Sequence, residues 1–478
     1  MKEGGKKTAI IWFRQDLRLH DNEALHDAMA VADHIVFAYI FDERWFNDST
    51  SFGFKKTGRH RAKFILESVA DLRASLREMG QDLYVRIGKP EEEIFELAKQ
   101  VKSSWVYCNR ERTSEEVRVQ SALEKNLWTV GQELRFYRGK MLLYTADLPF
   151  PVTQTPDTFT QFRKEVEKEV AYREPFSRPE HLPDDGGAPI AYNELPTLSE
   201  LGYEESESDD RAVIPFKGGE RSGLERLKYY LWDTQLLSMY KETRNGLLGG
   251  DYSSKFSPWL AQGCLSPKLI VHEIRKYESV YGANKSTYWL IFELLWRDFF
   301  RFMGKKYGDL IFKVSGTRGI MPEYMGEDDD KIQKWINGET GIPFIDANMR
   351  ELKATGFMSN RGRQNVASFF IKDLEQNWLI GAEYFESVLI DYDPCSNYGN
   401  WNYIAGVGAD PREDRYFNIM SQAKRYDPKG DYVRYWIPEL GAIEGGDIHH
   451  PEGYDKILSG NMDASPYLSP VVSAKRWL

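Results

Sequence analysis

A parallel-sheet α/β domain followed by a long linker and an all-helical domain is the fold the sequence predicts. Three observations predict it. Five short β-rich runs alternate with helical text between Thr8 and Tyr137, which is how βαβ units read. Nine of the 21 prolines then crowd between Pro149 and Pro215, amid acidic and glycine-rich text. From about Glu220 to about Leu440 the strand signals fade, and long amphipathic or wholly apolar helical runs take over. At 478 residues the chain exceeds what one ordinary core serves, so a division at 1–140, 141–220 and 221–478 is expected.

In order, the strands are TAIIWF, HIVFAYIF, DLYVRI, SWVYC and LRFY. Between Arg59 and Met79, the residues Ile65, Val69, Leu72, Leu76 and Met79 recur at 4-3-4-3 spacing, an apolar stripe that belongs on the sheet. No GxGxxG follows the first strand, which weakens a standard dinucleotide reading of this half. The proline-rich segment reads as a linker that carries one helix, TFTQFRKEVEKEV. The helical half holds nine of the 13 tryptophans, and the last forty residues are turn-rich text expected to wrap the surface.

The net charge of −10 excludes nucleic-acid binding through overall positive charge, so any DNA contact must rest on a local patch. Cys108, Cys264 and Cys395 lie far apart and in no ligand spacing, which predicts neither a disulfide framework nor an iron–sulfur or zinc site and fits a reducing cytoplasm. No secretory h-region and no apolar run of spanning length occurs, so a soluble cytoplasmic protein without a membrane partner is expected.

Four segments could carry chemistry. The run from Thr287 to Gly304 is apolar nearly all round and predicts a buried helix. On it Glu293, Trp296, Arg297, Phe300 and Arg301 share one face, either as an ordinary ion pair at a solvated edge or as a polar stripe lining a cavity. Ser359 to Arg363 reads equally as a helix N-terminus with solvated arginines or as a ligand site. Asp391 to Trp401 packs carboxylates and amides into text of little helix propensity, suited to close backbone approach to a ligand or to a solvated loop. Tyr252 to Pro258 offers hydroxyls and N–H groups ahead of a helix, which can cradle phosphate or can simply start that helix. No histidine occurs from Glu273 to Ile448, so acid/base chemistry by histidine and metal ligation by histidine are excluded there.

Taken together, IWFRQDLRLHDNEAL, ELLWRDF, GIPFIDANMR, GFMSNRGRQ and DYDPCSNYGNWNY…DPREDRYFN resemble the photolyase/cryptochrome family, in order and at its spacing, from about Thr8 to Leu440. NRGRQ and DYDPCSNYGNW are similar to the DASH subgroup in particular. The resemblance implies a Rossmann-like antenna domain, a linker and a helical FAD-binding domain. It also implies light-driven repair of cyclobutane pyrimidine dimers in single-stranded DNA by a monomer.

Position by position, the resemblance places the FAD diphosphate at Ser253, Ser254, Lys255, Phe256 and Ser257, with Tyr240 nearby. It makes Arg297, Asn360, Arg363, Asp391 and Asp393 polar neighbours of the cofactor, and sets Asn397 opposite flavin N5. Glu293 and Trp296 match the dimer-binding acid and stacking ring, and Asn360, Gln364 and Tyr403 fall at catalytic or substrate positions. Gln364 and Tyr403 stand where classical duplex-acting enzymes carry methionine and tryptophan, which favours single strands because a weaker aromatic clamp offsets less of the unstacking cost. Arg297, Arg361 and Arg363 would supply a local positive rim. Trp401 and Trp378 match two of the family's three electron-relay tryptophans; the outermost is not matched, since Met325 stands near its position, with Tyr324 beside it as an alternative substitute. Glu116 resembles the acid that holds the antenna, 5,10-methenyltetrahydrofolate. The rival readings are a blue-light photoreceptor, a (6-4) photoproduct enzyme and a plain flavin oxidoreductase.

Overall fold

Every β-rich run becomes a strand: β1 Thr8–Phe13, β2 His34–Asp42, β3 Leu83–Gly88, β4 Trp105–Asn109 and β5 Glu133–Tyr137. The computed structural model describes residues 6–205, 207–408, 416–450, 467–473 and 477. All strand pairs are parallel, in the order β3-β2-β1-β4-β5, with Ile10 registered against Val36 on one side and Val106 on the other. Because side chains alternate along a strand, the sheet buries two apolar faces, as a parallel sheet must. Ile10, Val36, Val106 and Cys108 pack under helices Pro90–Gln100 and Ser114–Thr129 through Ile94, Leu97, Leu123 and Leu127. Ile11, Phe13, Phe37 and Tyr107 face the Arg59–Glu78 helix, whose Ile65, Val69, Leu72 and Leu76 form the expected stripe.

That second face is not closed by the sheet domain alone. The same cluster continues through the Phe159–Glu169 helix, with Phe162 and Val166 fully buried, into the Lys285–Tyr307 helix. The proline-rich segment is therefore a docked strap rather than a loose connector. Leu143 N donates to Asp298 Oδ2 at 2.7 Å, Lys306 and Tyr307 both reach Asp157 Oδ1, and Tyr203 OH donates to Thr57 O at 2.5 Å.

The long helix begins in a capping box, in which Asn284 Oδ1 accepts from Ser286 N and Thr287 N and Asn284 N donates to Thr287 Oγ1. A second core, built on Trp335, Phe370, Trp378, Phe385 and Trp401, fills the space between helices Pro343–Thr355, Asn360–Ser368, Trp378–Val388 and Pro394–Ala405.

One expectation needs correction. The stretch expected to avoid helix contains the Pro394–Ala405 helix. Asp393 caps it by accepting from Ser396 N at 2.9 Å, and Pro394 occupies the first turn, where a missing N–H is harmless. Tertiary packing then overrides poor propensity: a Cβ on Gly399 would stand 2.3 Å from Phe300 Cδ1, so only glycine lets the two helices approach this closely. Of the C-terminal segment expected to wrap the surface, residues 451–466, 474–476 and 478 lie outside the described residues, as do 409–415 of the last family-like motif.

Candidate active site

Helices Asn360–Ser368, Trp378–Val388 and Pro394–Ala405 enclose a cavity lined by Asn360, Arg363, Gln364, Asp391, Asn397 and Trp401. The Ser359 segment starts a helix, and its Arg363 pairs with Asp391 instead of standing in solvent. Ser359 Oγ caps its helix by accepting from Gly362 N at 3.0 Å, and the first turn still faces the cavity.

Asp391 is the junction of the site. Its Oδ2 accepts from Arg363 Nη2 at 2.8 Å and from Ser257 Oγ at 2.6 Å, tying the serine-rich segment to the cavity wall. Its Oδ1 is buried and has no partner in the protein, a vacancy that a ligand's N–H group would fill. Asn397 is anchored by Nδ2 donating to Ala382 O at 2.9 Å. Arg226, which the sequence did not single out, holds the serine-rich loop from behind through the carbonyls of Gly250, Ser253 and Ser254 at 2.7–3.1 Å. Lys255 adopts φ +61°, and its buried amine donates to Ser253 Oγ at 3.3 Å; burial drives its pKa well down. Phe256 and Tyr240 are buried, each with its ring edge-on to Tyr230.

Two expected cofactor neighbours, Asp393 on the cavity wall and Arg297, carry strong protein partners. Asp393 engages both oxygens, Oδ1 in its helix cap and Oδ2 with Arg301 Nη1 at 2.7 Å. Burial opposes its charge, but Arg301, Arg297 and Lys140 outweigh that and hold the carboxyl well below the usual range. Arg297 spends Nη1 on Lys140 O at 2.6 Å and Nη2 on Leu260 O at 3.1 Å. Of the three arginines expected to form a positive rim, Arg363 pairs with Asp391, Arg297 donates to main-chain carbonyls, and Arg361 donates to Asn245 Oδ1 at 3.1 Å. The donors of Arg363 and Arg297 face inward because backbone carbonyls and a buried carboxylate there would otherwise go unmatched.

Glu293 and Trp296 do share a face of the long helix, but Glu293 is ion-paired with Arg244 rather than with the arginine four residues on. Burial raises the Glu293 pKa, and Arg244 opposes the rise. Trp296 is clamped from behind by Phe159, whose ring lies 3.8 Å away at 14°, and meets Tyr403 edge-on at 6.2 Å. Neither Arg244 nor Phe159 was singled out in the sequence. The i,i+4 spacing of Tyr240 and Arg244 was a faint signal for the first, and nothing in the linker text marked the second.

Trp401 is 2% exposed and fits because residue 381 is glycine; a Cβ there would meet its ring at 2.3 Å. Trp378 is fully buried, with Nε1 donating to Val314 O at 3.0 Å. Met325 is exposed and Tyr324 half-buried, on a segment that runs beside Trp378 through the Gly326–Gln376 bridge. Glu116 is half-buried, accepts from Thr113 Oγ1, and is pushed up to about 7 by burial and the charge of Glu111. It lines a separate cavity of about 410 Å³ between the sheet domain and the helical half, with Trp45, Lys56, Arg61 and Glu386. Among the described residues there is no metal-binding cluster, and no helix is long and apolar enough to cross a membrane.

Comparison with known proteins agrees with this architecture. Family models described as DNA photolyase and as the FAD binding domain of DNA photolyase match residues 9–180 and 289–477. The chain is 51% identical over 445 residues to a cryptochrome DASH of Gloeobacter violaceus, covering 93% of this chain and 88% of that one. It is 48% identical over 478 residues to cryptochrome DASH of Xenopus laevis, covering 98% and 91%. A relative in Arabidopsis thaliana, 46% identical over 94% of this chain and 79% of its own, is named as chloroplastic/mitochondrial. Among solved structures, the cryptochrome of Synechocystis sp. PCC6803 superimposes with a TM-score of 0.94 at 46% identity, covering 98% and 97%. A class III photolyase from Agrobacterium tumefaciens follows at 0.84 and 28% identity, covering 100% and 97%.

Proposed function

The chain belongs to the photolyase/cryptochrome family, in its DASH group, and on that premise we propose that it uses FAD and light to repair cyclobutane pyrimidine dimers in single-stranded DNA. We read it as three units, an antenna domain at 1–140, a strap at 141–220 and the catalytic helical domain at 221–478. FAD, when bound, supplies a light-excited electron donor. Ser253 to Ser257 and Tyr240 would hold the cofactor's diphosphate end, while Arg363, Asp391 and Asn360 would hold its ring system. The unpartnered Asp391 Oδ1 fits a flavin N–H, and the Arg363 pairing holds that carboxyl in place. Asn397 presents an amide, which stays neutral whatever charge its neighbour carries.

The dimer would rest between Trp296 and Tyr403, with Gln364 along the cavity wall. Glu293 would donate a proton or a hydrogen bond to a dimer carbonyl as negative charge develops there. The observation that carries this reading is that Trp296, one turn from a pKa-raised Glu293 on the long helix, meets Tyr403 of the helix that also presents Asn397 and Trp401. Glu116 would hold 5,10-methenyltetrahydrofolate in the interdomain cavity, and a protonated carboxyl there can donate to a pterin acceptor.

The test is illumination of reduced, flavin-loaded protein with a dimer-bearing oligonucleotide, scored as intact thymines. Glu293→Ala should lower the repair rate by about 100-fold with the yellow colour retained; an unchanged rate removes Glu293 from the chemistry. The name cryptochrome, carried by the relatives, favours a second reading as a blue-light receptor. A flavin-loaded protein that repairs nothing in light would support it.

A further inference from the structure

Tyr398 stands on the Pro394–Ala405 helix, one turn before Trp401, and is only 4% exposed. Its ring meets Trp378 edge-on, with centroids 6.4 Å apart and planes at 77°, and Phe312 packs on it at 4.7 Å. Its hydroxyl donates to Glu386 Oε2 at 2.9 Å. Glu386 is half-buried and lies on the wall of the interdomain cavity, so its carboxyl joins the relay rings to a space that solvent reaches.

The neighbours define what this pair can do. Arg61 donates through Nη1 to the Glu386 carbonyl at 2.6 Å and lies over the Tyr392 ring at 4.6 Å. Burial pushes the Glu386 carboxyl up; the Arg61 charge and the hydroxyls of Tyr392 and Tyr398 oppose this, and Glu115 adds to it. Burial, with the charges of Glu386 and Glu383, drives the Tyr398 phenol far above its ordinary pKa. Loss of the proton ahead of the electron is therefore disfavoured, and oxidation of the ring calls for an acceptor at the hydroxyl. A carboxylate within hydrogen-bond reach is the group that can accept the proton. Trp378 has no such acceptor, because its Nε1 donates to a main-chain carbonyl.

We propose that Tyr398 and Glu386 form a proton-coupled redox pair that terminates the electron relay in this chain, where the exposed end of the usual route is Met325. The inference rests on the reading that a flavin occupies the cavity, since light-excited oxidised flavin is the oxidant that withdraws an electron from Trp401 and, through it, from Trp378. Tyr398 gives one electron to oxidised Trp378, restoring the neutral indole. Its phenolic proton passes to Glu386 Oε2. A neutral tyrosyl radical and a neutral carboxylic acid result. One electron from a soluble thiol and the proton returned by Glu386 restore the phenol.

The test is electron paramagnetic resonance on oxidised, flavin-loaded protein, illuminated without thiol and frozen. The proposal expects a neutral tyrosyl radical in the unaltered chain, lost in Tyr398→Phe at unchanged flavin content and retained in Tyr324→Phe. Glu386→Gln should slow radical formation by about 100-fold. Formation in the unaltered chain should also fall as pH drops through the raised pKa of Glu386, and that dependence should vanish in Glu386→Gln. A radical that survives Tyr398→Phe and disappears in Tyr324→Phe, or an illuminated flavoprotein that yields only tryptophan radicals, overturns the proposal and leaves dimer repair untouched. A chain that takes up no flavin overturns the repair reading and this proposal together.

Discussion

Glu293 shows how one pairing sets a pH dependence. Its pKa is raised by burial, so the protonated, donating form persists to higher pH than for an ordinary glutamate, against the pull of Arg244. Repair should be fullest below that pKa and fall as pH rises through it. Arg244→Ala removes the opposing charge and should move the fall to higher pH, while Glu293→Gln should erase it; a pH–rate profile of the three proteins checks both. At Asp391, Asp391→Ala should release Ser257 and Arg363 together and lower flavin content at least tenfold, read from the visible absorbance per chain. The sequence showed Glu293 and Trp296 on one face because helical spacing is local information. It could not show Arg244 opposite Glu293, 49 residues away, nor that Asp393 and Arg297 would be taken by protein partners, because those pairings exist only once distant segments meet.

Elements that pack without a gap leave little tolerance. Gly399→Ala would drive a methyl group into the Phe300 ring, and Gly381→Ala would do the same against Trp401. Each should cost about 1–3 kcal/mol by thermal or denaturant unfolding and weaken flavin retention, since both helices line the cavity. Phe159→Ala empties one side of Trp296 and should cost about 3–5 kcal/mol. The five strands and the Arg59–Glu78 helix were legible because period and composition agreed. The Pro394–Ala405 helix was not. Its Asn, Ser and Gly residues read as loop, whereas the Asp393 cap, Pro394 and the contacts at Gly399 and Trp401 make it a helix.

The two halves are joined by a buried charge network as well as by their shared apolar cluster. Arg301 bridges Asp393 at 2.7 Å and Glu111 at 3.1 Å, and Glu111 also accepts from Lys140 at 3.1 Å. Glu111 is held down to about 2, because Lys140, Arg301 and Arg14 outweigh the burial that opposes its charge. A depressed carboxylate pKa stabilises the fold above the ordinary range, and that contribution is lost as pH falls from about 4.5 toward about 2. Arg301→Met strands two buried carboxylates and should cost about 3–5 kcal/mol at neutral pH, with the acid unfolding limb flattened relative to the unaltered protein. The α/β-then-helical architecture was legible in the order of the sequence segments. That the proline-rich strap would supply Phe159, Phe162 and Val166 to the common core was not, because its composition carries a linker's signature.

The central claim, that the helical half positions a flavin and a flipped dimer against Glu293, Trp296 and Tyr403, meets its most direct test in repair rates. Flavin-loaded, reduced protein is illuminated with the same dimer in a single-stranded oligonucleotide and in the matched duplex, and intact thymines are counted over time. The account predicts light-dependent repair of the single strand at least tenfold faster than of the duplex. Equal rates would contradict the single-strand assignment, and no light-dependent repair of either would contradict the site itself.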